Sequence, residues 1–403
     1  MSTEKKYLLV FVENLEKLAF FSRLYPAFRD RGYGLLVVSN RVSVILQARR
    51  HGMISRLCRR DHRDVDLSGT LELLRQDLTE HQAENFYGGI LKCVEQAADS
   101  IQLCGGLIWN GGRLADWAIA DYCNERGLNC LFFEIGNIPG KMIADPMGVN
   151  ARSLLAGKGF RQEYQPTPSF DSWRKSYIAT KLQQRSVPQA RSVGQINPFY
   201  LIDLLGFLLL AAPRNTNRTV KAMLKNVFLT RSVALTTTET VPETRFFFLP
   251  LQVTNDTQLF LNSKVDNRGA LEFALHLCEE EQAMLVVKPH PAETSPQFLA
   301  WLQQFAQENN IQLSRANTME LISKSDRVIT INSTVGLEAL LYGREVEVLG
   351  NAVYKGFGEA DLDRYVNRYL LNIDYFSRQE IAAEAVNEIE FRLFTGSIDC
   401  VNP

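Results

Sequence analysis

Two short apolar runs in the second half of the chain end in residues whose chemistry suits a phosphate. The run at 284–287 is followed by Lys288-Pro289-His290-Pro291, and the run at 328–331 is followed by Asn332-Ser333-Thr334. A histidine between two prolines is held rigidly, and beside a lysine it can hydrogen-bond a phosphate or protonate a leaving group near neutral pH. Taken alone, Ser333 and Thr334 are good helix N-cap residues. Together with His290 one β-α-β unit earlier, they favour a nucleotide-phosphate site at a helix start.

The elements around these residues are predicted to alternate between strand and helix, as in a β-α-β unit. The apolar runs are β-branched and bounded by turn residues, which is typical of buried strands. A helix is predicted over 335–342, with Gly343 closing it, and a further strand over 345–349. Each polar signature therefore stands at the carboxyl end of a strand, which is the edge where open parallel sheets bind ligands.

The first half of the chain predicts a second sheet of the same kind. Strands are predicted at 7–12, 35–40, 106–109 and 130–133, with helices at 15–31, 86–102 and 114–126. Two of these strands end in polar, glycine-containing loops, Asn110-Gly111-Gly112-Arg113 and Glu134-Ile135-Gly136. The first loop is equally well explained as a plain turn. Glu134 is a stronger candidate, because a carboxylate directly after apolar strand residues is poorly solvated without a specific role. Asp145 and Asn150 continue the same loop region.

Composition narrows the class of protein. The chain has 403 residues, 46% apolar and 22% charged, with a net charge of -1. This is ordinary for a globular protein with two or three domains, and it excludes a globally basic nucleic-acid binder. The seven cysteines form no CxxC, which favours reduced thiols in a cytoplasmic protein. The run at 7–12 meets Glu13 without a cleavage site, so it is interpreted as a first strand rather than a signal peptide.

Several common sites are missing from the sequence. No GxGxxG follows the first strand, and no GxxxxGK[ST] is present. His51, His62 and His81 have no metal-ligand spacing and are interpreted as surface or structural residues. The sequence therefore favours a group transfer that needs no metal.

A basic segment separates the two predicted domains. Its cations are Arg174, Lys175, Lys181, Arg185, Arg191, Arg214, Arg218, Lys221 and Lys225, against two acids, Asp171 and Asp203. An apolar run at 199–212 lies inside the segment and is too short to span a bilayer. It fits a helix on an anionic membrane surface and, equally, a buried interdomain helix with a solvated basic face.

Six stretches, taken as a set and in order, resemble the bacterial capsule-polysaccharide synthesis family of β-Kdo glycosyltransferases. They are residues 133–136, 148–153, 248–258, 287–291, 330–340 and 348–354. The length resembles the single-module enzymes that add the first Kdo of the lipid linker. The resemblance implies a GT-B-like α/β fold of two Rossmann-like domains facing across a cleft, with CMP-Kdo as the donor substrate and no other cofactor or metal.

The resemblance also implies roles for individual residues. His290, Lys288, Asn332, Ser333, Thr334 and Gly336 would bind the CMP phosphate, with His290 assisting the departure of CMP. Gln252, Asp256 and Gln258 would line the donor side, and Asn110, Arg113 and Asn150 the acceptor side. The family usually has two adjacent acids before the glycine at 136, but Ile135 stands at the second place. Glu134 is therefore the candidate nucleophile and Asp145 the second.

The predicted organisation is an N-terminal Rossmann-like domain over 1–160, a helical basic segment and linker over 161–240, and a nucleotide-sugar-binding domain over 241–403 ending in a helix at 375–394. The implied function is retaining transfer of β-Kdo to a (lyso)phosphatidylglycerol-type lipid by a peripheral inner-membrane protein, alongside other capsule synthesis and export proteins and without nucleic acid. Two alternatives stay open. The protein uses a different nucleotide sugar, or it is a non-catalytic, membrane-associated partner of capsule assembly.

Overall fold

The computed structural model describes residues 5–156, 167–183, 200–214, 216 and 235–398. Among the cations of the basic segment, Arg185, Arg191, Arg218, Lys221 and Lys225 lie outside the described residues. The described chain is α/β and divides into two units, each with its own largely parallel sheet. The predicted pair of Rossmann-like domains is confirmed. The cleft between them stays a prediction.

Unit 1 comprises the described residues of Met1–Leu154, Gly194–Asn217 and Arg368–Pro403. Its strands are β1 (Lys6–Phe11), β2 (Tyr33–Ser39), β3 (Ile54–Leu57), β4 (Gln102–Trp109), β5 (Cys130–Ile135) and β6 (Met142–Asp145). They are ordered β3-β2-β1-β4-β5-β6, and only β6 runs antiparallel. The central strands are apolar because helices cover both faces of the sheet.

The helices of unit 1 are α1 (Leu15–Asp30), α2 (Val42–Arg50), α3 (Leu71–Leu74), α4 (Glu80–Ala98), α5 (Leu114–Glu125), α7 (Tyr200–Leu209) and α14 (Ala383–Thr395). Asn14 caps α1 by accepting a hydrogen bond from the Lys17 backbone N–H, and Thr79 begins α4 with a capping box. These caps fix where each helix starts after its strand or loop.

Unit 2 comprises the described residues of Leu155–Val193 and Arg218–Asn367. Its strands are β7 (Phe246–Pro250), β8 (Met284–Lys288), β9 (Gln312–Leu313), β10 (Arg327–Thr330) and β11 (Glu345–Val348), ordered β11-β10-β7-β8-β9 and all parallel. Its helices are α6 (Pro168–Gln183), α8 (Thr257–Asn262), α9 (Asn267–Glu280), α10 (Pro296–Glu308), α11 (Thr318–Lys324), α12 (Thr334–Tyr342) and α13 (Glu359–Arg364).

The two sheets share one topology. In each, the first strand lies between the second and the fourth, so the strand order reverses between β1 and β4 in unit 1 and between β7 and β10 in unit 2. Ligands of open α/β sheets bind outside the carboxyl ends of the strands at such a reversal. This places the residues after β1, β4, β7 and β10 at the two candidate sites.

The differences from the sequence-based expectation include two strands and the start of the last helix. Strands β3 and β6 were not predicted, and residues 375–382 are not helical, so the last helix begins at Ala383 instead. That helix packs its apolar face, including Val386, Ile389 and Leu393, into the core formed by β1 and α1. Residues 368–398 accordingly lie in unit 1, which differs from the predicted domain 241–403.

The predicted basic segment is also split between the units. In α6, the Tyr177 hydroxyl donates to Glu338 Oε1 at 3.1 Å, and Lys181 pairs with the same carboxylate at 2.8 Å. These bonds attach α6 to unit 2, whereas α7 belongs to unit 1. The segment is therefore not a separate insert in the described residues.

Candidate functional site

A network of side-chain amides spans the strand reversal of unit 2. The Gln252 amide donates to Asn332 Oδ1 at 3.0 Å, and the Asn332 backbone N–H donates to Gln252 Oε1 at 3.3 Å. The Asn332 amide also donates to the Gln258 carbonyl at 3.1 Å. These reciprocal bonds tie the end of β7 to the end of β10. Gln252 and Asn332, expected as ligands of the donor, thus shape the site by binding one another.

His290 follows β8, beside this network. Its Nδ1 accepts a hydrogen bond from the Ala292 backbone N–H at 3.1 Å, so a neutral ring carries its proton on Nε2. Partial burial lowers the pKa of His290 below its ordinary value, although Asp256 and Glu293 act to raise the pKa and Lys288 adds to the lowering. The imidazole is therefore neutral at neutral pH and offers an Nε2–H donor.

Lys288 is engaged within its own unit. Its ammonium donates to the Ala316 carbonyl at 2.7 Å and to Thr318 Oγ1 at 2.8 Å, at the start of α11. Burial lowers the pKa of Lys288, and Glu338 partly offsets this by raising the pKa. Lys288, which the sequence predicts to bind the phosphate, therefore holds the loop after β9 in place.

The start of α12 is built as an anion-binding helix terminus. Ser333 is the N-cap, and its hydroxyl accepts from the Val335 backbone N–H at 3.3 Å. The Ser333 carbonyl accepts a hydrogen bond from the buried Tyr354 hydroxyl. A side chain at Gly336 would collide with Tyr354 and Thr330, so this glycine permits the Tyr354 contact. The Val335 and Gly336 N–H groups bond to the Ser333 hydroxyl and carbonyl, and the dipole of α12 favours an anion at this end of the helix.

Asp256 and Gln258 hold the neighbouring helix α8. Asp256 is its N-cap and accepts from the Gln258 backbone N–H at 2.8 Å, and Gln258 Oε1 accepts from the Asn262 amide at 2.7 Å. Both residues lie where the sequence predicts the donor side. Their side chains bond to the protein, while the Asp256 charge acts on His290.

Glu134 lies near the end of β5 in unit 1, and Asn110 follows the neighbouring strand β4. The Asn110 amide donates to Glu134 Oε2, and the Ile135 backbone N–H donates to Glu134 Oε1 at 2.9 Å. Asn110 holds the left-handed conformation, with φ of 69°, that turns its amide toward this carboxylate. The two predicted residues are thus brought together, and both carboxylate oxygens are oriented.

Further ionisable groups that the sequence reading missed surround the strand reversal of unit 1. Glu13 follows β1 and pairs with Lys17 at 2.7 Å and with Arg113 at 3.3 Å. Burial acts to raise the pKa of Glu13, but Lys17 and Arg113 outweigh it and the pKa is lowered. Arg113 also faces Glu72 at 3.6 Å. The sequence could have indicated Glu13 as a candidate, because this residue directly follows the first predicted strand.

Asp116, one turn into α5, is buried below this pair. It accepts hydrogen bonds from the Gly111 and Arg113 backbone N–H groups, both at 3.1 Å. Burial raises its pKa to about 7, against the opposing effect of Lys17. Arg113, expected on the acceptor side, is therefore held between Glu13 and Glu72, on a loop that Asp116 anchors.

The structure corrects the prediction that Asp145 is a catalytic residue. Its carboxylate is fully buried and accepts from the backbone N–H groups of Met147, Gly148 and Leu154 and from the Tyr369 hydroxyl. Burial raises the pKa of Asp145. A carboxylate surrounded in this way holds the loop over 146–154 and cannot reach a substrate. Asn150 begins a short 3-10 helix in that loop, with φ of 54°.

Helix α7 docks on unit 1 with its polar face inward. The buried Asp203 carboxylate accepts from the Ser43 backbone N–H and hydroxyl, each at 2.8 Å, and Gly206 lies against Val42. The opposite face is leucine-rich and exposed, with Leu201 at 70%, Leu205 at 53%, Leu208 at 63% and Leu209 at 76%. Within the part of the chain that the structure describes, no helix has the length and apolar character to cross a bilayer.

Comparisons with known proteins agree with the predicted resemblance. A sequence model of the family described as capsule polysaccharide biosynthesis protein matches residues 176–369. Protein FixF of Sinorhizobium fredii is 25% identical over 62% of this chain and 48% of its own length. The capsule polysaccharide modification protein LipA of Neisseria meningitidis is 34% identical over 24% of this chain and 14% of its own length.

A solved structure of KpsC from Thermosulfurimonas dismutans, a β-Kdo 2,7 transferase, is 15% identical with a TM-score of 0.41, covering 96% of this chain and 98% of that one. The chain spans less than half the length of the two curated relatives. Residues 176–369, which carry His290 and the start of α12, match the model of the capsule polysaccharide biosynthesis family, and the resemblance predicted from the sequence is confirmed.

We expect His290 to titrate below its ordinary pKa of 6.5 and to carry its proton on Nε2 when neutral. Two-dimensional ¹H–¹⁵N spectra of the imidazole measure both properties. The Asp256→Asn variant keeps a good N-cap residue but removes the charge that raises the pKa, so its His290 should titrate lower still. A pKa at or above 6.5, or an Nδ1–H tautomer, would contradict this description of the site.

Proposed function

We propose that the protein is a glycosyltransferase of capsular polysaccharide biosynthesis that transfers β-Kdo from CMP-Kdo to a (lyso)phosphatidylglycerol-type lipid with retention. One observation carries the proposal. The family match includes the sheet edge of unit 2, where a neutral His290 and the start of α12 lie at or beside the strand reversal. A nucleotide phosphate is the ligand class that suits this chemistry.

The donor phosphate is bound by dipoles rather than by a cation. It lies at the positive end of the α12 dipole, with Ser333 and Thr334 at the helix start. The His290 Nε2–H donates to a phosphate oxygen and stabilises the negative charge that develops as CMP leaves. This scheme needs no metal and no cofactor other than the donor substrate.

Glu134 is the proposed nucleophile. Its carboxylate attacks the anomeric carbon while the bond to the phosphate oxygen of CMP breaks, giving a glycosyl-enzyme and free CMP. The lipid hydroxyl then attacks the same carbon, loses its proton to solvent or a base, and releases Glu134 as a carboxylate. Two inversions give net retention. The bonds from Asn110 and from the Ile135 backbone N–H orient the carboxylate for this attack.

One observation favours a different nucleotide sugar as the second candidate. Ile135 occupies the place where the family usually has another acid, and its side chain is exposed at the end of β5. A missing carboxylate there changes the contacts available to a charged sugar. A non-catalytic partner of capsule assembly is the third possibility, and turnover measurements distinguish all three.

The first test is release of CMP from CMP-Kdo by purified protein, with and without lysophosphatidylglycerol. We expect lipid-dependent turnover that falls at least about 10³-fold in Glu134→Gln, because removing a nucleophile abolishes the covalent route. CMP affinity and thermal stability should be unchanged in that variant. Glu125→Gln, an exposed carboxylate of the same unit, is the matched control.

The His290→Ala variant should lose both CMP affinity and turnover. Turnover with another nucleotide sugar, but none with CMP-Kdo, would support the second candidate. CMP binding without turnover on any donor would support the non-catalytic partner.

The exposed leucine face of α7 supports a lipid-facing role. A helix that buries Asp203 and Gly206 and exposes four leucines is the reverse of a water-facing helix. Arg214 is exposed at the end of this segment, and the sequence around it is rich in cations. Apolar area combined with cations is the pattern that binds anionic interfaces. We therefore propose that the protein acts at the inner face of the cytoplasmic membrane, alongside other capsule synthesis and export proteins.

Sedimentation with phosphatidylglycerol vesicles tests this surface. We expect the Leu205→Glu/Leu208→Glu double variant to partition at least about tenfold less than wild type, because each buried leucine contributes roughly 1.5–3 kcal/mol. Leu74→Glu is the control, since Leu74 of α3 is 40% exposed but lies outside the face. Unchanged partitioning of the double variant, or equal loss in Leu74→Glu, would contradict the assignment of α7.

A further inference from the structure

Two histidines and a carboxylate converge on the surface of unit 1, at the start of α4. His62 Nδ1 lies 3.6 Å from Glu84 Oε2, and His81 Nδ1 lies 3.8 Å from the same oxygen. One ligand atom from each of the three residues lies within 4.8 Å of the others. The sequence spacing alone did not indicate this group, because His62 comes from a loop and the other two residues from a helix. We refer to these three residues as the His62 cluster.

The loop that carries His62 is held against α4 by specific contacts. Side chains at Gly88 and Gly89 would collide with the backbone carbonyls of Asp61 and Arg59, so the glycines let the loop lie directly on the helix. The Asp61 backbone N–H donates to the Asn85 carbonyl at 3.0 Å, and Lys92 pairs with the Asp61 carboxylate at 2.7 Å.

Each glycine inside a helix costs about 1 kcal/mol relative to alanine. A tandem pair at this point therefore indicates that the loop position itself is required. The contact fixes the backbone on both sides of His62 and thereby limits where its ring can lie. His62 is part of a defined arrangement rather than of an unconstrained surface loop.

His81 and Glu84 are positioned by the start of α4. They stand three residues apart, which puts both side chains on one face of the helix. The capping box of Thr79 and Gln82 fixes the first turn on which His81 lies. Glu84 is half-buried, while both histidines are exposed, so an ion from solvent could reach the ring nitrogens.

We propose that the His62 cluster binds one divalent transition metal ion, of the class represented by Zn²⁺. Two imidazoles and a carboxylate are a ligand set that zinc sites use, with a water in the fourth position. Zinc–nitrogen and zinc–oxygen bonds of about 2.0–2.2 Å in a tetrahedron place ligand atoms roughly 3.3–3.6 Å apart. The distances of 3.6 and 3.8 Å to Glu84 Oε2 are near this range, so small side-chain rotations suffice.

Such an ion would fasten the loop carrying His62 to α4. The Arg60 backbone N–H in this loop donates to the Ala211 carbonyl just after α7, at 3.0 Å. The bound metal would therefore stabilise a part of unit 1 that also supports the leucine-bearing segment. The cluster uses none of the residues assigned to the donor or to the nucleophile, so the inference is independent of the proposed function.

Isothermal titration of chelator-treated protein with Zn²⁺ tests the proposal. We expect one ion per chain, together with a rise in thermal stability on binding. His62→Ala, His81→Ala and Glu84→Gln should each weaken binding at least about tenfold, because each removes a ligand. His276→Ala is the matched control, because His276 and Glu280 form an exposed helical pair at 3.3 Å that has no third ligand among the described residues.

The wild-type stoichiometry and affinity should persist in His276→Ala. Absence of stoichiometric binding in wild type would overturn the proposal. Equal binding by wild type and His62→Ala would also overturn it, since zinc would then be held elsewhere, for example by thiols. Circular dichroism of each variant verifies that the fold is intact.

Discussion

The carboxyl edge of the unit 2 sheet depends on the paired amides of Gln252 and Asn332. Each residue donates to and accepts from the other, so neither can be replaced without leaving a polar group unsatisfied, at a cost of about 1–3 kcal/mol. Asn267 completes the arrangement by bonding the Gln252 backbone N–H and carbonyl at 3.2 and 2.7 Å. Through these bonds the ends of β7 and β10 and the starts of α9 and α12 become one rigid edge. A phosphate site needs this rigidity, because its N–H donors act only when they are held in place.

Much of the polar chemistry at both sheet edges supports structure rather than contacting substrate. Lys288, Asp256 and Asp145 are each satisfied by nearby backbone or hydroxyl groups. Once these residues are assigned to support, the groups that remain suited to chemistry are few. They are His290, with a donor on Nε2, the positive end of the α12 dipole, and the oriented carboxylate of Glu134. Because the charged side chains are used in structural contacts, the groups that unit 2 offers to a ligand are largely neutral.

The sequence predicts the fold well where local pattern dominates. The buried strands of both sheets are apolar runs, and Gly343 ends α12 in the left-handed conformation that such a position requires. Strand β6 escaped prediction because it is short and pairs antiparallel with β5, although Gly136 and Gly140 flank a hairpin turn. Strand β3 escaped because it has only four residues, and the exposed Arg56 interrupts its apolar pattern. The start of α14 was misplaced because residues 375–381 include apolar core positions, Tyr375 and Ile381, that look like a continuation of the apolar content of the helix.

The candidate site was predictable in location but not in role. Strand ends identify the edge, yet whether a side chain serves a ligand or a neighbour depends on partners distant in sequence. The Gln252 side chain bonds to Asn332, which lies eighty residues later in the chain. Asp145 meets Tyr369 from the far end of the chain, which no local pattern indicates. The His62 cluster was missed for the same reason.

The most direct test of the central claim is a crystal structure of the protein with CMP. We expect the phosphate to lie at the carboxyl edge of the unit 2 sheet. There, one phosphate oxygen lies within hydrogen-bond distance of His290 Nε2 and another faces the first-turn N–H groups of α12. Nucleotide bound at the edge of unit 1, or in unit 2 without contact to His290, would contradict it.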